Sequence, residues 1–495
     1  MAELASVEDD AVVDGVEVYR TYYSRWWVML LASLIAALQG GIWAAFSPIA
    51  PALEGIWGWN GDSAKLDFTI ALLAGWGPVV YLITCWPFMY GMERCGLRVP
   101  TIIAAVLVFV GSLLKVFTAS NTTGVYLSHA AQILNAAAGP VAMGIGPVVS
   151  AAWFAPGERT FSTSVIAMSN TLGVAAMFLI GPWMVPSDAT ATDLLHFWYV
   201  WAVATGLVLV ACVVYLPSRP PSPPSRSAST DRTDFFGGMR SVLGCCRCDR
   251  SGSGGADASG ADGGAPKRAT PAAARAFWLV TSAYGIVTGI YGGWGSILAN
   301  NCMTFLAKGD AESTAGWLGF WSTLAGCVGG VAFSLYIDRG SVAAPKKLLL
   351  IILSLGSAAC FLIFTLMVNT SVIEYQPWIL YATSIMGGLL VNGQIPLFYE
   401  AGVEVMYPVE EGTSTVILTI VNNLGAGVFL IVPMITPIGS WVNWIMVGAC
   451  VAAFVCLLPF DERQARSALD AGAALPSEGG EEGGALEQPL LNAAA

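Results

Sequence analysis

The feature that most constrains this chain is a series of apolar runs, each close to the length of a membrane-crossing helix, separated by short polar turns. A helix needs about 20 apolar residues to cross roughly 30 Å of hydrocarbon. The runs predict twelve spans. Six precede a long polar interval, at 26–49, 68–91, 100–119, 125–150, 161–184 and 194–216, and six follow it, at 276–299, 314–337, 347–368, 377–402, 413–436 and 440–459. Only 11% of the residues are charged, against about 25% in a soluble domain. A water-soluble globule is therefore excluded, and the lipid bilayer is the first partner. Hydrocarbon cannot satisfy open backbone groups, so spans of this length are helices and the fold class is all-α.

The domain plan follows. A polar tail (1–25) leads into a six-helix bundle (26–216), a linker (217–275), a second six-helix bundle (276–459) and a second tail (460–495). The linker opens Pro217-Ser218-Arg219-Pro220-Pro221-Ser222-Pro223-Pro224, passes Cys245, Cys246 and Cys248, and ends in Gly, Ser, Ala and Asp. Such composition buries no core, so the linker and both tails are expected to be disordered. The first tail is acidic and lacks the features of a cleavable signal peptide. The net charge of -11 comes largely from acids crowded in the tails and says little about partners. An even number of spans puts both termini and the linker on one face. If that face is inside, only Lys65, Lys115 and Lys308 of the 22 Lys and Arg lie outside, which predicts cytosolic termini. The glycosylation sequons at Asn121 and Asn369 fall on the outer side, close to the membrane.

The two halves repeat. Gly41-Ile42-Trp43-Ala44-Ala45-Phe46 in span 1 matches Gly289-Ile290-Tyr291-Gly292-Gly293-Trp294 in span 7. Glu93-Arg94-Cys95-Gly96 after span 2 matches Asp338-Arg339-Gly340 after span 8. Glu158, Ser162-Thr163 and Asn170-Thr171-Leu172-Gly173 match Glu410, Ser414-Thr415 and Asn422-Asn423-Leu424-Gly425 at one constant offset. Six is an even number, so both halves enter from the same face. The repeats are parallel, related by an axis along the membrane normal, as in the major facilitator fold.

In that fold the site lies near the midplane between the halves. By analogy, spans 1, 4, 7 and 10 line it, with 5 and 11 beside them. The candidate substrate residues are Gln39 and Trp43 (with Phe46) in span 1, Asn170 and Thr171 in span 5, Tyr291 and Trp294 in span 7, and Asn422 and Asn423 in span 11. Gln132 and Asn135 in span 4, and Asn392 and Gln394 in span 10, are further polar groups. An amide in hydrocarbon needs a partner, so each of these either bonds a neighbouring helix or faces a wet cavity. Pairing by symmetry favours the cavity for Asn170, Thr171, Asn422 and Asn423. No Asp or Glu lies mid-membrane, so a cation would be held by aromatic faces and amide oxygens. His129 is the one candidate titrating group, read as a hydrogen-bonded residue near the outer side. At the inner ends, Glu93, Arg94, Glu158, Arg159, Asp338, Arg339, Glu400 and Glu404 are candidate gate residues, whose plain alternative is solvated helix ends. Nothing resembles a nucleophile–base set or a metal-ligand spacing, and the eleven cysteines form no disulfide framework. An enzyme, a cofactor or a nucleic-acid partner is not expected; the chain is read as a monomer acting on a small molecule. Two peripheral signals remain: Cys245, Cys246 and Cys248 beside arginines as palmitoylation sites or free thiols, and Glu487-Gln488-Pro489-Leu490-Leu491 as a dileucine-like sorting signal.

Finer patterns resemble a known family. They are Arg25-Trp26-Trp27-Val28; Leu38-Gln39-Gly40 with Trp43 and Pro48; Gln132-Ile133-Leu134-Asn135 with Gly139-Pro140; and Trp153-Phe154 with Glu158-Arg159. In the second half they are Ala315-Gly316-Trp317-Leu318-Gly319-Phe320-Trp321 and Val403-Glu404-Val405 with Tyr407-Pro408 and Glu411-Gly412. Together they resemble solute carrier family 49, the feline leukaemia virus subgroup C receptor-related transporters, and most of all the branch of disrupted in renal carcinoma protein 2. The likeness covers nearly all the spans and leaves out the tails and linker. It implies alternating access for a small organic solute (choline, ethanolamine, haem or vitamin B6) in an endolysosomal, vacuolar or plasma membrane, with proton coupling as a family-level expectation. The alternative on the same fold is a sensor that binds without transporting. Choline-type members use a Trp in span 1, a Tyr in span 7 and a Gln in each of spans 5 and 11. Trp43 matches, Tyr291 lies at or beside the Tyr position, and Thr171 and Asn423 stand where the glutamines would be. That departure points away from choline and toward the lysosomal branch.

Overall fold

The computed structural model describes residues 19–59, 63–117, 122–230, 235–243, 270–339, 346–435, 439–462 and 464–471, together with a minimal hairpin of Val12–Val13 with Val16–Glu17. Among these residues the structure is otherwise helices and their turns. Nine helices are long and apolar enough to cross a membrane, and Trp441–Leu457 is a shorter apolar one. All twelve expected spans are present. Spans 7 and 10 are not among the nine, for physical reasons. Span 7 (Pro271–Ser296) is diluted by Gly285, Gly289, Gly292, Gly293 and Gly295, and span 10 is split into Pro377–Gly393 and Ile395–Met406. Both are spans that a central site requires to be polar or broken.

The repeat extends to the breaks. Span 4 is split into Thr122–Ala137 and Gly139–Trp153, with Pro140 at the start of the second piece, as Pro396 is in span 10. A proline fits the first turn of a helix but lacks the N–H needed to continue one from behind. Span 1 (Ser24–Ala44) is followed by the short helix Ala50–Ile56, and span 7 by Leu298–Cys302.

Each half has its own apolar core, one around Phe197, Trp198 and Trp153, the other around Phe277, Phe361 and Phe398. A third, small cluster joins them, with Tyr81, Cys85, Met89 and Met92 of span 2 (Ser63–Cys95) against Val416 of span 11 (Glu411–Ile435). The repeated Asn-x-Leu-Gly has a packing role. A methyl added at Gly173 in span 5 (Arg159–Met184) would overlap the Ala37 carbonyl of span 1, and one at Gly425 would overlap the Gly285 carbonyl of span 7. The glycines set the same close backbone approach in both halves.

Two expectations change. Lys115, placed by the sequence in an outer loop, is the last residue of span 3 (Arg98–Lys115) and is fully buried. Its Nζ donates to Gln132 Oε1 at 3.0 Å and Ile42 O at 3.3 Å, and lies over the rings of Phe46 (4.7 Å) and Trp198 (4.9 Å). The carbonyl end of the span 1 helix, polarised by its dipole, favours such a donor. Further, parts of the linker and tail expected to lack structure form helices at Arg226–Ser229, Phe235–Leu243 and Ala465–Asp470. Cys245, Cys246, Cys248, Asn121 and residues 487–491 lie outside the described residues.

Gly173→Val and Gly425→Val are each expected to destabilise the protein by about 1–3 kcal/mol through overpacking. Thermal unfolding in detergent should show this, whereas Gly427→Val, at a glycine with open space around it, should melt as wild type.

Candidate functional site

Spans 1, 4 and 5 meet at a polar knot. Asn170 donates to Ala36 O at 2.9 Å and to Gln39 Oε1 at 3.0 Å, Gln39 donates to Asn135 O at 3.3 Å, and Asn135 returns a bond to Gln39 O at 3.1 Å. In the other half Asn422 donates to Thr288 Oγ1 at 2.6 Å. The donors of Gln39, Asn170 and Asn422 are thus committed to neighbouring helices. One position further on, Thr171 and Asn423 are half-buried. Asn423 donates only to Thr419 O of its own helix, at 2.8 Å. Among the described residues, its carbonyl oxygen and the Thr171 hydroxyl take no protein partner.

The aromatic pair turns its polar ends to neighbouring helices. Trp43 is half-buried and donates from Nε1 to Ala74 O of span 2 at 3.1 Å. Tyr291 is half-buried, with its hydroxyl turned toward span 10 beside Gly388. With the Trp43 N–H taken, the pair presents chiefly ring face. Trp294, expected in the same wall, is instead 2% exposed. Its indole donates to Asn443 Oδ1 at 2.9 Å, and its ring backs Tyr291 at 6.1 Å between centroids. Asn443 also receives Asn301 at 2.7 Å and donates to Asn369 at 3.1 Å, a network that draws Trp294 inward. Asn369, the sequon residue, is thereby tied on both ends of its amide, since it donates to Ser440 O at 2.7 Å. His129 accepts at Nδ1 from Trp76 Nε1 at 3.0 Å, the hydrogen-bonded role expected of it.

Beneath the site the linker face is closed. Across the halves, Tyr81 bonds Thr419, Thr163 donates to Glu400 Oε1 at 2.7 Å, and Phe161 N donates to Asp338 Oδ2 at 2.7 Å. Asp338 thus sits at the positive end of the span 5 helix, where a carboxylate is favoured. Cys327 Sγ approaches Met168 O at 3.6 Å. Spans 5 and 11 both run outward from the linker face. Among the described residues, every hydrogen bond between the two bundles lies on the linker side of Thr171 and Asn423. The bundles are thus tied together on the linker side of these two residues.

Charges complete the closure. Arg466 pairs with Glu400 at 2.6 Å, Glu404 at 3.4 Å and Glu411 at 3.9 Å, and Arg159 pairs with Asp470 at 2.8 Å. Burial works against charge on Arg466, but Glu400, Glu404 and Glu411 outweigh it and hold the guanidinium protonated. Burial likewise pushes the Asp470 carboxyl up, and Arg159 with the donors of Ser227 brings it below the ordinary aspartate range.

Comparison with known proteins agrees with this geometry. Residues 32–428 match the family model of the Major Facilitator Superfamily. The "Solute carrier family 49 member 4 homolog" of Xenopus tropicalis is 32% identical over 92% of this chain and 95% of its own length. The chain belongs to solute carrier family 49 of the major facilitator superfamily. "Choline/ethanolamine transporter flvcr2a" of Danio rerio is 24% identical over 85% of this chain and 82% of its own. Among solved structures, the E. coli fucose:proton symporter FucP superposes with a TM-score of 0.62 at 12% identity, covering 88% of this chain and 98% of that one. The proton:xylose symporter XylE gives 0.62 at 14% identity, covering 90% and 98%.

In this family 49 transporter the residues that close the linker face differ from the gate candidates the sequence suggested. Glu400, Glu404, Arg159 and Asp338 are among those that close it. Glu158 pairs instead with Arg25 of its own bundle at 2.9 Å, and Arg94 lies exposed over Tyr90 at 5.7 Å. Arg98 reaches Val213 O at 3.2 Å, Glu93 is half-buried and Arg339 is exposed. Reasoning from sequence missed Arg466, Asp470, Ser225 and Ser227, because the tail and linker had been set aside as disordered, and it missed Glu411 at the start of span 11.

Since the Asp470 pKa is depressed in the folded protein, its contribution is present in full above the ordinary value of about 4 and is lost as pH falls through the depressed value. Acidification below about pH 4 should therefore lower the melting temperature of wild type more than that of Asp470→Asn, which lacks this contribution at every pH.

Proposed function

We propose that this transporter carries a small organic solute of cationic or flat aromatic character, choline, ethanolamine and pyridoxine being the types to test first. The solute loads from the face opposite the linker and is released by alternating access. The observation that carries the reading is the pair Trp43 and Tyr291, equivalent positions of the two halves. The Trp43 N–H is spent on Ala74 O, the Tyr291 hydroxyl is turned to span 10 beside Gly388, and both rings are half-buried. Ring faces attract organic cations by about 0.5–2 kcal/mol each and stack on flat rings. Thr171 and Asn423 add a hydroxyl and a carbonyl oxygen free to orient a polar group. No carboxylate lies mid-membrane, so a bare metal cation would find no charged ligand there. The excess of Lys and Arg on the linker face supports a cytosolic linker and termini, in an endolysosomal, vacuolar or plasma membrane.

Uptake of labelled choline, ethanolamine, pyridoxine and haem into reconstituted vesicles tests the reading. Trp43→Ala is expected to lower transport of the carried solute about tenfold or more, as loss of one strong cation–π or stacking partner would; Asn423→Ala is expected to lower it several-fold. Unchanged transport of every one of these solutes in both variants would remove the proposed site. Binding without counterflow of the same label would favour a sensor over a transporter.

A further inference from the structure

Two pieces of chain that belong to neither bundle end inside the closed gate. The linker leaves span 6 (Ala191–Val214) and runs back under the first bundle. Ser218 Oγ accepts from Arg98 N at 3.2 Å, Ser222 bonds Tyr22 at 2.8 Å, and Pro223 O accepts from Arg20 N at 3.2 Å. At Ser225 it turns inward. The Ser225 side chain caps the helix Arg226–Ser229, and Ser227 is wholly buried. From the other end of the chain, Glu462 accepts from the N–H groups of Lys346 and Lys347 at 2.9 Å each. The helix Ala465–Asp470 then follows, with Arg466 and Leu469 buried.

The two pieces hold each other and then hold different bundles. Ser227 donates through its N–H and its hydroxyl to the two oxygens of Asp470, at 2.7 and 2.8 Å. Asp470 pairs with Arg159 of the first bundle at 2.8 Å, and Arg159 also reaches Ser225 at 2.5 Å and Ser227 at 3.0 Å. On the second bundle, Arg466 pairs with Glu400 at 2.6 Å and Ser467 N donates to Glu404 at 2.7 Å. The side chains of Arg159, Asp470, Arg466, Glu400 and Glu404 are all 4% exposed or less. Were these pieces to leave while the gate stayed shut, Arg159 would lose its carboxylate, and Glu400, Glu404 and Glu411 would lose their guanidinium. Breaking a buried pair by removing one partner is far more costly than never burying it. Once the gate opens, water reaches every one of these groups and the penalty disappears. Closure and docking are therefore one cooperative event.

We propose that the linker turn Ser225–Ser229 and the tail helix Ala465–Asp470 form a removable latch on the gate, and that opening toward the linker face requires their withdrawal. Arg466 and Asp470 are then gating residues contributed from outside the twelve spans. The proposal concerns the gate alone and holds whichever solute is carried.

Hydrogen exchange of the full chain in lipid nanodiscs tests it. Arg466→Gln, Asp470→Asn and Ser227→Asp, the last setting a second carboxylate against Asp470, are expected to raise exchange about tenfold or more at residues 153–163 and 400–411, the effect of losing one hydrogen bond to a charged group. The same variants are expected to lower exchange at residues 43–57 and 291–302, because alternating access closes one face as it opens the other. A complementary variant covers the case in which these fail to fold. Ser227→Cys with Asp470→Cys, in a chain whose Cys245, Cys246 and Cys248 are serines, should cross-link and hold the latch docked. Exchange at 153–163 and 400–411 should then be lower in the oxidised form and recover on reduction. Protection lost at both faces alike would mark a brace that merely stabilises the fold and would overturn the proposal. Equal exchange in the oxidised and reduced cross-link would also overturn it.

Discussion

Hydrocarbon supplies no hydrogen-bond partner, and every polar side chain inside the spans has been placed under that restriction. Lys115 shows it most plainly. A buried lysine nitrogen is accommodated there because Gln132, the carbonyl of Ile42 and the rings of Phe46 and Trp198 surround it. Asn443 plays the same part in the second half, gathering Trp294, Asn301 and Asn369. Groups that found partners within the bundles became structure. The Thr171 hydroxyl and the Asn423 carbonyl, which take no partner among the described residues, and the faces of Trp43 and Tyr291 make up the proposed site.

Much of the architecture was legible in the sequence, because membrane thickness fixes span length and the repeat fixes orientation. The repeated Asn-x-Leu-Gly pointed to equivalent positions in spans 5 and 11, and Gly173 and Gly425 give that repeat a steric basis. The division of labour inside the motif was not legible. Asn170 and Asn422 bond adjacent helices, while Thr171 and Asn423 make no bond to another helix among the described residues, and only helix rotation separates the two. Trp294 was misplaced for a similar reason. Its indole follows Asn443, a residue of span 12 that no local pattern linked to it. Lys115 looked like a loop residue because charge ordinarily marks the end of a span.

The gate is where composition misled most. Pro, Ser and Arg in the linker and Ala, Ser and Asp in the tail carry too little apolar surface to fold alone. They become ordered by contributing charge and hydroxyl groups to a gate that the bundles leave unbalanced. Glu400, Glu404 and Glu411 stand close together on the second bundle, and Arg466 from the tail answers them. The two halves of the fold are related by symmetry, whereas the closure of the linker face draws on segments that have no counterpart in the other half.

The central claim is that Thr171 and Asn423 line a site open to the face opposite the linker while the linker face is sealed. Cysteine placed at either position, probed in sealed vesicles with a membrane-impermeant thiol reagent, tests it most directly. The account predicts that reagent applied to the opposite face modifies Thr171→Cys and Asn423→Cys, and that the carried solute slows the reaction. Modification only from the linker face, or none from either face, would contradict it.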